Sequence, residues 1–142
     1  MLVDDIMSRE VVFVEPKESV LTVAKLMKNH NIGVVPVVEN DEVLGVITDR
    51  DIVMCIAEFN FDLANTEAQK LMSETVYSVR PGADVSDALA LMKKQQIRRL
   101  PVIEEGTLVG MLSIGDIAIS SYNDEEISEA ICEISMPAPE EE

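Results

Sequence analysis

The chain has 142 residues, 47% of them apolar, and a formal net charge of −16 at pH 7. This length suits one compact domain with a single core, and the strongly negative charge argues against nucleic acid or an anionic membrane as a partner, because both would repel the protein. No apolar run approaches the roughly 18–20 residues that span a bilayer, and the first residues lack the basic start and apolar stretch of a signal peptide. We therefore expect a cytoplasmic protein.

One sequence pattern occurs twice in the chain, at an offset of sixty-five residues. With this offset and no gap, residues 3–52 align with residues 68–117, and sixteen of the fifty pairs are identical. A fixed period of this kind indicates one supersecondary unit used twice, and a unit this short does not bury its apolar face alone. The predicted segments are a first copy at 1–57, a connection at 58–67, a second copy at 68–122, a helix at 123–135 and a disordered acidic tail at 136–142.

Each copy is predicted to be a strand, a helix, two strands and a helix. In the first copy, Val11 to Val14 is rich in β-branched residues and Pro16 follows it, which indicates a short buried strand. Ser19 is the candidate N-cap of a helix with apolar residues at helical spacing, namely Val20, Val23, Ala24 and Met27. Strands over Val34 to Val38 and Val43 to Ile47 then form a hairpin that leads into the second helix.

The second copy repeats these elements. Val76 to Val79 corresponds to the first strand, Asp84 is the candidate N-cap, and Leu100 to Ile103 with Leu108 to Leu112 forms the hairpin. Beyond the second copy, Asn123 precedes a further set of apolar residues at helical spacing, namely Ile127, Ala130, Ile131 and Ile134. These residues predict a last helix that covers either the fold or a partner subunit.

Proline occupies the same position in the middle strand of both copies, as Pro36 and Pro101. Because proline lacks an N–H and is confined to strand edges, strand starts and bulges, each proline should mark a gap in the sheet. Between the copies, Phe59, Phe61 and Leu63 stand among polar residues. This pattern predicts a connection that is packed against the core.

The remaining reactive side chains show no catalytic or metal-binding spacing. Cys55 and Cys132 fit neither a disulfide framework nor a metal site, so we expect two reduced, buried thiols. His30 is the only histidine and has no nearby nucleophile or second metal ligand, which indicates a polar residue at a helix end. We therefore predict no catalytic residue, no metal site and no required cofactor.

Both copies close with the motif Gly-x-x-Thr/Ser-x-x-Asp. The residues are Gly45, Thr48 and Asp51 in the first copy and Gly110, Ser113 and Asp116 in the second. The hydroxyl and the carboxylate have the spacing of a capping box, so both motifs should start helices. The same groups also suit a ligand, because a carboxylate accepts hydrogen bonds from ribose hydroxyls and a helix N-terminus suits phosphate. The glycine would let either a ligand or a neighbouring backbone approach closely. Spacing alone leaves pure capping and ligand binding both open.

Four features occur in both copies: the order of elements, the Met-Ser near the start, the Pro-Val of the middle strand and the closing motif. Together they resemble the cystathionine β-synthase (CBS) domain, here as a tandem pair over about residues 3–122. The resemblance implies an α/β (α+β) fold in which two βαββα repeats pack with pseudo-twofold symmetry into one Bateman module. In that family, clefts between the sheets bind AMP, ADP, ATP, S-adenosylmethionine or NAD. The resemblance thus implies a regulatory sensor of an unknown target protein, without enzymatic activity, that assembles as a homodimer.

The resemblance also implies roles for particular residues. Asp51 and Asp116 resemble ribose ligands, and Thr48 and Ser113 resemble hydroxyls near ribose or phosphate. The residues that resemble a purine pocket are Val11, Val12, Ile32 and Val34 in one cleft wall and Val76, Tyr77, Ile97 and Arg99 in the other.

Basic residues distinguish the two copies. Arg98-Arg99 precedes Leu-Pro-Val in the second copy, whereas the first copy has Gly33-Val34 there, and Lys93 and Lys94 fit a solvated helix face. A guanidinium can hold phosphate oxygens with two parallel hydrogen bonds. We predict one tighter, salt-sensitive site for AMP, ADP or ATP and a second site that is weaker or empty. The alternative is a dimerisation module whose clefts are filled by side chains and bind no nucleotide.

Overall fold

The computed structural model describes residues 1–59, 62–120 and 123–137, and they form two compact units. The first-motif unit comprises Val11–Val76 with Glu105–Leu108. The second-motif unit comprises Met1–Glu10, Tyr77–Glu104 and Val109–Glu142. Each unit contains one closing motif and one apolar cluster of buried residues, so the prediction of a single core is wrong. Two clusters result because each copy buries its own helix and hairpin residues, such as Val23 and Ile47 or Leu89 and Leu112.

The predicted helices and hairpins are present, with short additional helices before each copy's first long helix. The elements are α1 (Val3–Ile6), α2 (Val20–His30), β1 (Val34–Glu39), β2 (Glu42–Thr48), α3 (Asp49–Phe59), a 3₁₀ turn (Leu63–Asn65), α4 (Ala68–Leu71), α5 (Val85–Gln95), β3 (Arg99–Glu104), β4 (Thr107–Ser113), α6 (Ile114–Ile119) and α7 (Asp124–Ser135). The fold is therefore α+β. The four strands are hydrogen-bonded in the order β1-β2-β4-β3.

The hairpin of the first copy is antiparallel, with Val34 opposite Thr48 and Glu39 opposite Glu42. Its register shifts between Val37 and Val38, because Val37 lies opposite Gly45 and Val38 lies opposite Val43. Strand β2 meets β4 at the pair Glu42–Thr107, and both of these residues belong to the first-motif unit.

The prediction of a strand at Val11 to Val14 is wrong, and Pro36 explains why. Only Val14 bridges β1: its N–H donates to Pro36 O at 3.0 Å, and Val38 N donates to Val14 O at 2.8 Å. The next bond of this parallel ladder would need an N–H from Pro36, which proline lacks. The ladder therefore ends after one bridge, at the outer edge of β1.

The same correction applies to Val76 to Val79 in the second copy. Val79 N donates to Pro101 O at 3.1 Å, Ile103 N donates to Val79 O at 2.9 Å, and the proline again prevents the next bond. Both prolines thus lie at strand edges where pairing stops, as predicted.

The first short helix of each copy packs in the unit that holds the other copy's closing motif. In the second-motif unit, Val3 of α1 is fully buried and its N–H donates to Ala83 O at 2.9 Å. In the first-motif unit, Ala68 of α4 is fully buried and its N–H donates to Glu18 O at 2.7 Å. Each unit is therefore completed by a segment from the other copy in the sequence.

The predicted N-caps of the longer helices are confirmed. Ser19 Oγ accepts a hydrogen bond from Thr22 N, Asp84 Oδ1 from Ser86 N, and Asn123 Oδ1 from Glu125 N and Glu126 N. The bond from Ser86 N, followed by that from Ser86 Oγ, lowers the pKa of the Asp84 carboxyl below its ordinary value. These caps satisfy N–H groups that have no partner inside the helix.

Helix α7 covers α5 within the second-motif unit. The residues that it buries are Ile127, Ala130 and Ile134. Gln96 Nε2 donates to two carbonyls at the end of α7, those of Glu133 at 3.2 Å and of the C-cap residue Met136 at 3.1 Å. The predicted last helix is confirmed, and of its two possible roles the structure supports covering the fold.

The expectation of buried thiols is wrong. Cys55 is half-buried and Cys132 is exposed, because Ala130 and Ile134 turn the other face of α7 towards the core. Leu63 packs against the core of the first-motif unit, as predicted for the connection. Phe61, the side chain of Phe59 and residues 138–142, including most of the predicted tail, lie outside the described residues. None of the described helices has the length and apolar content to cross a membrane.

Candidate functional site

The first closing motif lies at the junction between β2 and α3. Thr48 ends the strand, and its N–H donates to Asp51 Oδ2 at 2.9 Å. In return, Asp51 N donates to Thr48 Oγ1 at 3.1 Å. Both side chains are half-buried. The predicted capping box is therefore formed, and it fixes the carboxylate against the helix start.

The second closing motif repeats this geometry between β4 and α6. Ser113 N donates to Asp116 Oδ2 at 2.9 Å, and Asp116 N donates to Ser113 Oγ at 3.0 Å. The two boxes agree to within 0.1 Å in each bond. The helices that follow differ, because α3 has 11 residues and α6 has 6. The two copies therefore share the geometry of the junction between strand and helix, although the helices that follow have different lengths.

Each box leaves part of its carboxylate available. Asp51 and Asp116 accept the backbone bond through Oδ2, and Oδ1 of neither residue has a hydrogen-bond partner among the described residues. A carboxylate oxygen has two lone pairs, so Oδ1 can accept bonds from a ligand while Oδ2 stays in the box. The arrangement can hold vicinal hydroxyl groups without disturbing the cap.

A second contact ties each motif to the strand that begins the hairpin. Asp49 N donates to Gly33 O at 2.9 Å in the first-motif unit. The equivalent bond in the second-motif unit runs from Ile114 N to Arg98 O, also at 2.9 Å. Position 33 in one copy and position 98 in the other therefore lie directly beside the closing motif. This position has no side chain in the first copy, where it is Gly33, and a basic one in the second, where it is Arg98.

The basic residues of the second copy are not equivalent in the structure. Arg98 is exposed and Arg99 is half-buried, and neither forms an ion pair within the described part of the chain. Lys93 Nζ lies 3.5 Å from Glu129 Oε1 of α7, so this lysine is already partnered, and Lys94 is exposed. The two arginines are the free cations nearest to the second motif in sequence.

The residues predicted for a purine pocket fall into several places. Ile32 and Val34, both half-buried, flank Gly33 beside the first motif, and Ile97 and Arg99 flank Arg98 beside the second. Two further pairs were predicted from the start of each copy. Val11 and Val12 of the first copy are half-buried. In the second copy, Val76 is half-buried and Tyr77 is 41% exposed. Val76 belongs to the first-motif unit, whereas Tyr77 belongs to the second-motif unit.

The closing glycines are required by a neighbouring backbone. A Cβ on Gly45 would lie 2.6 Å from Ser73 O, and a Cβ on Gly110 would lie 2.9 Å from Ser8 O and 2.7 Å from Met7 Sδ. The Met-Ser at the start of each copy therefore packs on the glycine of the other copy's motif. Of the two reasons predicted for these glycines, close approach of backbone is the one found here.

Sequence reasoning missed Asp49 as a feature of the first motif. Its carboxylate covers Gly33: a Cβ added to that glycine would lie 2.9 Å from Asp49 Oδ2. The aligned copies held a signal, because Asp49-Arg50 in the first motif is replaced by Ile114-Gly115 in the second. The two motifs thus share a capping box and differ in the charges next to it.

No group of three or more His, Cys, Asp or Glu side chains in residues 1–59, 62–120 and 123–137 is arranged to hold a metal ion. His30 is exposed at the last position of α2, where a polar helix-end residue was predicted. The two motifs supply hydrogen-bonding groups and charge.

Known proteins show the same organisation. The CBS domain family matches the chain twice, over residues 3–58 and 68–121. The CBS domain-containing protein YhcV of Bacillus subtilis (strain 168) is 37% identical over 133 residues, which cover 94% of each chain. A crystal structure of Hypoxic Response Protein I with two coordinated zinc ions is 34% identical, with a TM-score of 0.77, and the match covers 84% of this chain and 98% of that one.

A second similar structure contains adenosine compounds. It is the CBS domain pair of protein MJ0100 in complex with 5′-methylthioadenosine and S-adenosyl-L-methionine, and it is 26% identical with a TM-score of 0.74. The match covers 84% of this chain and 94% of that one. Because the family matches most of the chain, once in each copy, this protein belongs to the CBS domain family and carries two CBS domains.

Proposed function

We propose that the chain is a regulatory sensor that binds adenosine compounds, with AMP, ADP or ATP as the foremost ligands and no catalytic step of its own. The observation that carries this proposal is the pair of matching capping boxes, in each of which one carboxylate oxygen is unused by the box. A ribose offers two adjacent hydroxyl donors, and a fixed carboxylate can accept from both. Asp51 and Asp116 are accordingly assigned to ribose, with Thr48 and Ser113 beside it.

The similarity to the MJ0100 domain pair supports the ligand class. That protein is in complex with two compounds that both contain an adenosine moiety. S-adenosylmethionine, like NAD, is therefore a possible ligand here as well. The similarity supports an adenosine moiety as the common part of the ligand. Which adenosine compound is preferred depends on the charged side chains beside each motif.

Arg98 and Arg99 favour a phosphate-bearing ligand at the second motif. In a chain with a net charge of −16, an anionic ligand needs local positive charge. The bond between Ile114 N and Arg98 O brings the backbone of Arg98 next to Ser113 and its box, which supports this assignment. Charge-assisted bonds from a guanidinium to phosphate are among the stronger hydrogen bonds. We assign AMP, ADP or ATP to the second motif on this basis.

A second candidate function is that of an interaction module that binds no ligand. Helix α3 favours it, because three apolar side chains on that helix are exposed: Val53 (63%), Met54 (44%) and Ile56 (46%). Apolar side chains grouped on one helix are typical of protein interfaces. Under both candidate functions we propose a homodimer formed through α3, an unidentified regulated protein and a cytoplasmic location, where free thiols such as those of Cys55 and Cys132 stay reduced.

Thermal melting with and without ligand separates the two functions. AMP, ATP, S-adenosylmethionine and NAD are each added at millimolar concentration to the parent chain. A ligand at 100 times its dissociation constant adds about 2.7 kcal/mol to the free energy of unfolding, so a true ligand raises the melting temperature by several degrees. If no adenosine compound changes the melting temperature, the sensor function is wrong and the interaction module is favoured.

A further inference from the structure

We infer that Asp49 sets the ligand charge at the first motif: it disfavours phosphate, so that this motif takes an adenosine with an uncharged or cationic 5′ substituent, such as a thioether or a sulfonium. The inference rests on the proposed function, because it concerns the second ligand of the same sensor. It makes Asp49 a specificity-determining residue and gives the two motifs different ligands.

Hydrogen bonds fix the position of Asp49 at the start of α3. Its N–H donates to Gly33 O at 2.9 Å, which holds the residue beside the hairpin strand. Its carboxylate lies over Gly33, with Oδ2 at 2.9 Å and Oδ1 at 3.5 Å from the place of a Cβ on that glycine. Oδ1 accepts from Arg50 N at 2.8 Å, so the side chain is oriented by its own helix start. The negative charge of this exposed side chain is thus held at the start of α3, two residues before Asp51.

The equivalent position in the second motif carries no negative charge. Arg98 stands where the first copy has Gly33, and its carbonyl accepts from Ile114 N, the counterpart of Asp49 N. Ile114 is apolar, half-buried and packed against the core of the second-motif unit. The residue that supplies a carboxylate in one motif therefore supplies only an alkyl group in the other.

The balance of charge decides which ligand each motif prefers. The first motif combines two carboxylates, Asp49 and Asp51, with one guanidinium, Arg50. The second motif combines one carboxylate, Asp116, with Arg98 and Arg99. Like charges repel, and Asp49 adds a second negative charge close to the carboxylate assigned to ribose. A phosphate is therefore disfavoured at the first motif, whereas a neutral thioether is unaffected and a sulfonium is attracted.

The test isolates the first motif by removing the ribose carboxylate of the second. In an Asp116→Ala background, calorimetry measures the affinities for AMP, 5′-methylthioadenosine and S-adenosylmethionine at an ionic strength of about 0.1 M, where the Debye length is about 10 Å. We expect the two thio compounds to bind about tenfold tighter than AMP, and Asp49→Asn to raise the affinity for AMP relative to 5′-methylthioadenosine about tenfold. Asn keeps an oxygen that can accept from Arg50 N, so the helix start is preserved.

Asp41→Asn is the matched control, because Asp41 lies in the same unit and is exposed in the β1–β2 turn with φ of 66°. It removes the same charge and leaves a residue that tolerates this backbone conformation. Its ratio of AMP to 5′-methylthioadenosine affinity should stay within about twofold of the parent ratio, because exposed charges beyond a Debye length are screened. Equal effects of Asp41→Asn and Asp49→Asn would overturn the inference.

The reciprocal variants test the second motif in an Asp51→Ala background. Ile114→Asp should weaken AMP binding about tenfold relative to Ile114→Asn, which has the same shape without the charge. If the isolated first motif binds AMP as tightly as it binds 5′-methylthioadenosine, the inference is refuted and the proposed function stays intact. This result is expected if Arg50 holds the phosphate. If none of the three compounds binds the parent chain, the proposed function itself is wrong, and the inference falls with it.

Discussion

Gly45 and Gly110 show how single residues join the two copies of the sequence pattern. At each glycine, the carbonyl oxygen of the serine in the other copy's Met-Ser segment lies within 3 Å of where a Cβ would stand, at 2.6 Å for Gly45 and 2.9 Å for Gly110. We predict that Gly45→Ala and Gly110→Ala each lower the free energy of unfolding by about 1–3 kcal/mol, because a methyl group must displace packed backbone. Urea denaturation measures this change.

Gly82 provides the control for that prediction. A Cβ there would meet nothing within 4 Å, so Gly82→Ala should leave stability within about 1 kcal/mol of the parent or raise it slightly. If Gly45→Ala and Gly82→Ala had the same stability, the close backbone approach at Gly45 would not matter energetically.

The phosphate preference proposed for the second motif is assigned to Arg98 and Arg99. We predict that Arg98→Ala or Arg99→Ala weakens AMP binding by about 1.5–3 kcal/mol for each charged hydrogen bond lost, while adenosine affinity changes much less. Titration calorimetry at two salt concentrations measures both ligands, and the AMP affinity of the parent should fall with salt. Lys94→Ala, a change at an exposed lysine on α5, is the control. If a variant with both arginines replaced binds AMP and adenosine with the affinities of the parent, the prediction is wrong and the two arginines are surface charges without a role in binding.

At the residue scale, the sequence was sufficient to predict the two capping boxes, because spacing alone determines their geometry. Thr48 with Asp51 and Ser113 with Asp116 form capping boxes because a three-residue separation at a helix start brings these groups into contact. The carboxylate of Asp49 over Gly33 could not be predicted in this way. That contact depends on a hydrogen bond from the helix start to a carbonyl sixteen residues earlier in the chain.

At the scale of the element, helix α7 stabilises the second-motif unit by covering α5. Ile127 of α7 is buried in the apolar cluster, whereas Ile131 is 45% exposed. We predict that Ile127→Ala lowers the free energy of unfolding by about 2–5 kcal/mol, because it leaves a cavity between the two helices. Ile131→Ala, the same chemical change on the outer face, should cost less than about 1 kcal/mol. Equal costs in denaturant unfolding would contradict the observed orientation of α7.

Helices and hairpins were predicted more reliably than the short strands. Helical periodicity and N-caps act locally, so Ser19 and Asn123 were identified from their neighbours alone. The segment Val11 to Val14 has the composition of a strand, but its pairing depends on a partner that contains Pro36. The exchange of α1 and α4 between the copies also escaped prediction, because no local pattern specifies which copy a short helix packs against.

For the whole molecule, we predict a homodimer held together by the exposed apolar side chains of α3. Val53 is 63% exposed, and replacing it with Asp would place a charge in the predicted interface. Light scattering at micromolar concentration should give twice the chain mass of 15.7 kDa for the parent and 15.7 kDa for Val53→Asp. Ile131→Asp, at an exposed apolar residue of α7, is the matched control and should remain dimeric. A parent mass of one chain would contradict the prediction.

The account depends most on the claim that the closing carboxylates hold an adenosine ligand, and titration calorimetry of AMP into the Asp51→Ala/Asp116→Ala double variant tests it most directly. Each change removes an N3 acid from a capping box and should cost about 0.5–2 kcal/mol of stability, so circular dichroism first establishes that the variant is folded. The parent should bind AMP, Asp116→Ala should lose the tighter site, and the folded double variant should bind no adenosine compound measurably. A folded double variant that binds AMP with the affinity of the parent would contradict the claim.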